Sequence, residues 1–421
     1  TVLAMGIMVR TVNGSLLILS QYFHPEPNGS APPVSDFALW LAENGYAPQV
    51  VTARPSYPQR RVFEGYRRGE RDGENWNGVG VRRLSSPIIA APGLMGRLVN
   101  EGGFAARLVW SRLTGGQSPE RHVLAVCPSV LVALAAGAYR APEGRLVILV
   151  HDIQSGLSRL AGGGAVAGVL RALERAALNR ADCVITLSEC MRDVLVAGGV
   201  TAPIDILPPQ LDVSEFRVRP EPEGQIQLLY SGAFGHKQGL PQLISAAKVL
   251  EDRGVCFDMV LRGAGGIEPE LRARIGDLAL RNVRIEPLTP RSRLCEAMGN
   301  GAIHLAPQDP AGGDFAVPSK VFSIMAAGRP FVATAMQGSP LERLTAQSGA
   351  GVCVPPEAPA ALADALQALI SDADARRRMG LAGRAWAERN VDRSVVCPSL
   401  AAILQGDAPA ASPLRGRPAV R

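Results

Sequence analysis

Leu16-Leu17-Ile18-Leu19 is an unbroken apolar run, and a proline-rich loop from Gln21 to Pro33 follows it. Val34, Phe37, Ala38 and Leu41 come next, at the i, i+3, i+4, i+7 spacing that lays one apolar stripe along a helix. Gly45 stands where a left-handed residue ends such a helix, and Gln49 to Thr52 supply a second apolar strand. Strand, helix, strand makes a βαβ unit, and βαβ units build a parallel sheet. Working outward, short apolar runs recur at Val123–Val126, Leu146–Val150 and Val184–Leu187, with helical patterns between them. After Ile204–Leu207 and the proline- and glutamate-rich stretch Arg219 to Gly224, the pattern restarts. Gln227–Tyr230 reads as a strand, with Leu240, Leu243, Ile244, Ala247 and Leu250 on one helix face. Phe257–Leu261 then reads as a strand ending in a turn at Gly263-Ala264-Gly265-Gly266. The fold class is therefore α/β, with two Rossmann-like, doubly wound domains. The expected boundaries are a leader over 1–14, an N-terminal domain over 15–215, a linker over 216–224 and a C-terminal domain over 225–390. A helix over 391–405 that crosses back and a disordered tail over 406–421 complete the chain.

The length of 421 residues fits two such domains of roughly 200 each. The chain is 47% apolar and 19% charged, which excludes a disordered protein; 45 glycines and 33 prolines with only 5% aromatics suit βα turns better than an all-β sandwich. A net charge of +6, spread as pairs such as Arg60-Arg61, Arg67-Arg68 and Arg82-Arg83, comes with no nucleic-acid motif. It points to an anionic substrate, an anionic membrane surface, or simply a solvated face. Seven cysteines, scattered and without a CxxC pair, indicate reduced thiols and a cytoplasmic protein. The run Val130 to Tyr139 is too short to span a bilayer. Residues 84–115 mix Leu94, Met95, Leu98, Phe104, Leu108 and Trp110 with Arg97, Arg107 and Arg112. They read either as two ordinary amphipathic helices or as a basic surface in peripheral contact with the inner membrane.

Ligands of open α/β sheets bind beyond the carboxyl ends of strands, and four loops stand there. In Phe315 to Lys320, Ser319 is an N-cap for a short helix that Gly328 and Pro330 end, so free N–H groups and the Lys320 charge meet where a phosphate binds. In Ser231 to Gly239, the glycines Gly232, Gly235 and Gly239 allow close backbone approach, and Lys237 pairs with a diphosphate. In Tyr22 to Ser30, Gly29 admits a sugar phosphate against the backbone. After Leu146–Val150 come His151, a hydrogen-bond partner for a sugar, and Asp152, which fixes its tautomer or touches substrate. Each loop also reads as ordinary structure: a capped helix, a flexible turn, a proline-stiffened turn, a satisfied histidine. The remaining histidines have no metal-ligand spacing, so no metal site is expected.

In their combination and order, Ser20-Gln21-Tyr22-Phe23-His24-Pro25-Glu26-Pro27, Tyr230-Ser231-Gly232, His236-Lys237-Gln238-Gly239-Leu240, and Val317-Pro318-Ser319-Lys320 with Met325-Ala326-Ala327-Gly328-Arg329-Pro330 resemble one family. It is the GT-B glycosyltransferases of the family 4 type, and within it the bacterial enzymes of colanic-acid and related exopolysaccharide synthesis. The resemblance spans Leu16 to Asn390. It implies a GT-B fold with the site in an interdomain cleft, and a UDP- or GDP-sugar as co-substrate with no other cofactor. It also implies transfer with retention and no essential metal. Lys237 and Lys320 would neutralise the departing diphosphate, with Gly232, Gly235, Pro318 and Ser319 around the donor. His151 would contact the reacting sugar, and Gly29 and Asp152 would serve a lipid-linked saccharide acceptor. Two glutamates common in the family are Ala316 and Ser323 here, which leaves Asp314 and Glu342 as stand-ins for holding ribose and sugar hydroxyls. The arginine that often precedes the loop lysine is replaced near Ala233, and the customary linker asparagine is Pro209 or Gln210. A nucleotide-sugar 2-epimerase and a non-catalytic GT-B partner protein are the competing readings.

Overall fold

The computed structural model describes residues 16–27, 29–57, 59–89, 94–115, 118–127, 129–153, 164–290, 293–310 and 317–407. The expected leader over 1–14 lies outside them, as does the tail beyond Asp407. The chain divides into two units. One runs to Leu187 and adds Met191–Gln210 and the residues from Val396 onward; the other holds Ser188–Cys190 and Leu211–Val395.

The strands of the first unit are β1 (Leu16–Leu19), β2 (Pro48–Ala53), β3 (Gly73–Trp76), β4 (Val79–Leu84), β5 (Glu120–Cys127), β6 (Arg140–Val150), β7 (Cys183–Thr186) and β8 (Ile204–Ile206). They lie in the order β3-β4-β2-β1-β5-β6-β7-β8. Every pairing is parallel except β3 with β4, a hairpin whose turn residues Asn77 and Gly78 both have positive φ (52° and 87°), as a right-twisted two-residue turn requires. The helices are α1 (Ala31–Glu43), α2 (Leu94–Leu113), α3 (Val130–Ala136), α4 (Gly164–Leu178) and, from Met191 onward, α5 (Glu189–Ala197). In α1, Pro32 and Pro33 occupy the first turn, where missing N–H groups cost nothing, and Val34, Phe37, Ala38 and Leu41 are buried as their spacing requires.

The second unit has β9 (Gln227–Ala233), β10 (Asp258–Ala264), β11 (Val283–Glu286), β12 (Ile303–Pro307), β13 (Phe331–Thr334) and β14 (Gly351–Val354). All are parallel, in the order β11-β10-β9-β12-β13-β14. Its helices are α6 (Pro241–Asp252), α7 (Glu268–Asp277), α8 (Leu294–Gly299), α9 (Lys320–Ala326), α10 (Pro340–Ser348), α11 (Pro359–Ser371) and α12 (Ala373–Asn390). The last helix, α13 (Arg393–Gln405), begins in this unit and from Val396 belongs to the first. There Cys397, Leu400, Ala401, Ile403 and Leu404 join Leu16, Ile18, Val34 and Phe37 in one core. Arg145 Nε donates to the Ile403 carbonyl at 2.8 Å and His122 Nδ1 lies 2.9 Å from that of Leu404, so two of the carbonyls at the helix end have side-chain partners.

Two local expectations are corrected. Among the described residues of 84–115 there is one continuous helix, α2, where two were expected: Gly102-Gly103 does not break it, and Gly103 packs so closely on Pro87 that an added Cβ would lie 2.8 Å from its Cδ. The loops expected at Ser231 and Gly263 begin later, since β9 and β10 pair onward to Ala233 and Ala264.

Candidate functional site

In each sheet the strand order reverses beside the first strand of its unit, between β1 and β5 and between β9 and β12. Chains leaving adjacent strands in opposite directions open a crevice at such a point.

In the second unit, β9 and the segment after β12 build the site. Leu228, Leu229 and Tyr230 of β9 are fully buried. Gly232, two residues on, has φ +154°, in the range that favours glycine, and a Cβ there would lie 3.7 Å from Lys320 Nζ. The Tyr230 hydroxyl donates to the Ala233 carbonyl at 2.7 Å, which holds the ring in place. Lys320 Nζ sits 3.7 Å from the centroid of that ring, where the face of the π-system attracts a cation. The nitrogen is buried and has no hydrogen-bond partner, although Lys320 as a residue is only half-buried. Loss of hydration disfavours its charged form, and its pKa falls from the usual 10.5 to about 7. An ammonium with three idle donors beside a bare glycine backbone is chemically suited to an anion.

The neighbouring turns are packed with no room to spare. A Cβ on Gly263 would come within 2.1 Å of the Gly232 carbonyl oxygen and 2.4 Å of the Phe234 ring, and one on Gly265 within 2.2 Å of the Phe234 carbonyl oxygen. Phe234 N–H donates to the Ala264 carbonyl at 2.9 Å. Lys237 lies in a short 3-10 turn, His236–Gln238, and is exposed. The Asp309 N–H donates to the Lys237 carbonyl at 3.0 Å, tying the turn after β9 to the segment after β12. Gly235 lies just before this turn, with the Gln238 side chain against it.

Ser319 does not cap α9 as expected. It precedes α9 but is itself helical (φ −55°, ψ −28°), and its hydroxyl caps nothing. The carbonyls of Pro318 and Ser319 already accept from the N–H groups of Val321 and Phe322 at 3.0 and 3.2 Å, so a tight first turn takes the donors a cap would serve. What is left at this end of the seven-residue helix to suit an anion is the Lys320 charge, not a capped helix end. Glu342 lies in the first turn of α10, whose cap is Ser339: its Oγ accepts from Glu342 N–H at 3.3 Å. Burial, assisted by the Glu342 charge, pushes the Cys353 thiol up to about 11. Asp314 and Ala316 lie outside the described residues.

In the first unit, the loop after β1 is held by a residue the motif reading did not single out. Glu26 is 5% exposed, and its carboxylate accepts N–H groups from Ser56 and Tyr57, both at 2.8 Å, and from Phe23 at 3.3 Å. His24 stacks on Trp76 with centroids 4.2 Å apart. Beyond this anchored part, Gly29 is exposed at φ +69°, with open space where a Cβ would stand. Glu26→Ala removes one acceptor from three backbone donors, and the expected loss is about 3 kcal/mol of stability. Urea denaturation reads it, and an unchanged midpoint would show that the carboxylate holds nothing. His151 leaves β6 with its N–H bonded to the Cys127 carbonyl at 2.9 Å. Burial lowers its imidazole to about 4, so it is neutral at physiological pH and can serve as a hydrogen-bonding group but not as a cation. Asp152 is exposed.

The two units match two family descriptions in sequence. Residues 28–210 match "Glycosyl transferase 4-like domain" and residues 213–386 match "Glycosyl transferases group 1". The chain belongs to the family 4 type glycosyltransferases and has their GT-B fold. It is similar to the putative colanic acid biosynthesis glycosyl transferase WcaI of Escherichia coli (strain K12), with 29% identity over 90% of this chain and 97% of the relative. A shorter match, 25% identical over 53% of this chain and 56% of the relative, is to the amylovoran biosynthesis glycosyltransferase AmsK of Erwinia amylovora. Among solved structures, the sucrose-phosphate synthase of Thermosynechococcus elongatus superposes with a TM-score of 0.73 at 16% identity, covering 93% of this chain and 98% of that one. HepE of Anabaena, in complex with UDP and glucose, superposes with a TM-score of 0.68 at 16% identity, covering 93% and 99%.

Proposed function

We propose that this glycosyltransferase moves a hexose-type sugar from a UDP- or GDP-sugar to a lipid-linked saccharide of an exopolysaccharide repeat, with retention and without an essential metal ion. The observation that carries the donor assignment is the buried, unbonded ammonium of Lys320 beside Gly232. A diphosphate gains charge as the sugar bond breaks, so a cation fixed there acts most strongly in the transition state. Lys237, exposed in the adjoining turn, supplies a second positive charge. In the first unit, the neutral His151 hydrogen-bonds the reacting sugar or its acceptor, and the open Gly29 backbone admits the acceptor. The extent of the similarity to the colanic-acid relative supports an exopolysaccharide acceptor. The UDP and UDP-glucose complexes of HepE support the donor class. Seven free thiols support a reducing, cytoplasmic compartment.

The test is calorimetric titration with UDP, GDP and their sugars in the presence of a chelator, followed by transfer to lipid-linked acceptors and NMR assignment of the product anomer. Saturable binding of one nucleoside diphosphate and an anomer matching the donor are expected. Folded protein that binds none of them overturns the reading, and binding without transfer to any acceptor makes it a non-catalytic partner protein.

Donor affinity is also expected to depend on pH. A diphosphate pairs with the ammonium form of Lys320, whose free-state pKa is about 7. Below that value the site is already charged, and Lys320 adds no further pH dependence. Above it, each pH unit costs up to about tenfold, until the higher pKa of the complex is reached. A dissociation constant that stays level from pH 6 to about 9 would rule Lys320 out as the titrating partner.

A further inference from the structure

Helix α9 runs for seven residues, from Lys320 to Ala326. Its carboxyl end is closed by backbone: Gly328 has φ +67°, its N–H donates to the Met325 carbonyl at 2.9 Å, and Arg329 N–H donates to that of Ile324 at 3.2 Å. The Ala326 carbonyl is left over, and it accepts from Arg384 Nη1 of α12 at 2.6 Å. The same nitrogen reaches the carbonyls of Val213 and Phe216, at 3.1 and 2.5 Å. Those two residues belong to the short 3-10 turn Val213–Glu215 and its end. The turn is itself held. Leu211 N–H donates to the Val391 carbonyl at 2.8 Å, and Val213 N–H donates to the Asp392 carboxylate at 3.1 Å. Further along, Arg329 Nη2 donates to the Pro220 carbonyl at 2.8 Å, and Val218 covers Gly328 so closely that a Cβ there would lie 3.0 Å from its Cγ2. Helix α12 closes the other side. A Cβ on its Gly380 would come within 2.2 Å of the Gly328 carbonyl oxygen, and its Trp386 stacks on Phe322 of α9 with centroids 6.2 Å apart.

A guanidinium that only capped α9 would need one carbonyl; bonding to carbonyls of two separate segments fixes the distance between them. A helix of two turns is a stiff rod about 10 Å long, so a shift at its carboxyl end reappears at its first residue. Lys320 stands there, with Nζ 3.7 Å from the Tyr230 centroid, a contact that weakens as the cation moves off the ring. We propose that Arg384 is a positioning residue of the donor site: by joining Val213 and Phe216 to the end of α9, it sets where Lys320 stands at the other end. The partners of Arg384 are Val213, Phe216, Ala326 and Glu388, none of them assigned to the donor, so it acts through α9 and not on the ligand. The proposal rests on Lys320 as the donor's cation, but its first test needs no ligand.

Lys237, Lys248 and Lys320 are the only lysines of the chain. Carbon–proton NMR spectra of the full chain, labelled with carbon-13 at lysine, therefore follow each ε-methylene through a pH titration, and Lys320→Met assigns its signal. In the wild type the Lys320 signal is expected to titrate at about 7. In Arg384→Ala the midpoint should rise by at least about one pH unit, because a loosened helix lets water back to the nitrogen. Arg384→Lys, which reaches fewer carbonyls, should show a smaller rise in the same direction. UDP or GDP should bind Arg384→Ala about tenfold more weakly at pH 6, where the amine is charged in both proteins. Arg376→Ala is the control for lost stability. Its guanidinium, on the same α12, bonds to Glu221 and to the carbonyls of Leu369 and Ile370, away from α9. That variant should melt at a lower temperature and leave the Lys320 midpoint in place. An unchanged midpoint in both Arg384 variants, or an equal rise in Arg376→Ala, overturns the proposal. A midpoint moved by Arg384→Ala in a protein that binds neither UDP nor GDP would overturn the donor reading and still support the hold of Arg384 on Lys320.

Discussion

Methionine in place of Lys320 is expected to weaken nucleoside-diphosphate binding about a hundredfold while making the protein more stable. Both effects come from the same buried nitrogen. Its ammonium has no hydrogen-bond partner and keeps only the Tyr230 ring as compensation. Folding therefore works against the charge, and the amine's pKa drops from 10.5 to about 7. A base with a depressed folded-state pKa binds fewer protons folded than unfolded, so stability rises with pH between the two values. Below about pH 7 the whole penalty is present; it fades as pH climbs and is gone above 10.5. The shift sets a ceiling of roughly 4–5 kcal/mol, and the partial exposure of the residue brings the expected gain at pH 6 down to about 2 kcal/mol. Methionine fills nearly the same volume and needs no partner. Calorimetric titration and thermal unfolding at pH 6 and pH 9 check both halves. Binding that survives the substitution would remove Lys320 from the donor site. A stability gain as large at pH 9 as at pH 6 would show that it does not come from the buried charge.

What the sequence shows of this molecule follows from how local each signal is. The strands β1 and β7 and the buried ends of β5 and β6 stand out because buried stretches of parallel strand are continuous apolar runs, and the restart at Gln227 shows for the same reason. Strand ends are less visible. The tails of β9 and β10, Ser231-Gly232-Ala233 and Arg262-Gly263-Ala264, look like turns because their glycines serve a close approach between neighbouring strands, not flexibility. Gly103 is the same kind of glycine inside a helix: it makes room for Pro87, and α2 continues through it. At the candidate site, Lys320 is legible as a charge after a strand, yet its burial and its seat over Tyr230 depend on a residue 90 positions earlier. The hydroxyl of Ser319 is the converse case, a residue type with a strong local preference whose role the backbone carbonyls of a tight turn have taken over. Glu26 carried no functional signal of its own because two of its three donors, Ser56 and Tyr57, come from the loop after the next strand.

Alanine at Gly263 is expected to destabilise the protein by about 2–4 kcal/mol and to weaken donor binding as well, though it changes no polar group. The added methyl has nowhere to go. It would sit 2.1 Å from the Gly232 carbonyl oxygen and 2.4 Å from the Phe234 ring, and the ring belongs to a residue fixed to the Ala264 carbonyl by its own N–H. The strain can be relieved only if the end of β9 lifts away from β10, and that movement carries Gly232 away from Lys320. Gly266 is the matched control, three residues further along the same segment. An alanine Cβ there meets nothing within 4 Å, and the residue does not have a left-handed φ. The same substitution should therefore be neutral or slightly stabilising, because it removes freedom from the unfolded chain at no cost in contacts. Denaturant titration of the two variants, with the nucleoside diphosphate then titrated into each, separates a steric cause from a general intolerance of alanine in this loop. Equal losses in both variants would mean that the packing of β9 against β10 does not govern the site. Loss in Gly263→Ala alone, in stability and affinity together, would show that the glycine shapes the anion site without touching the ligand.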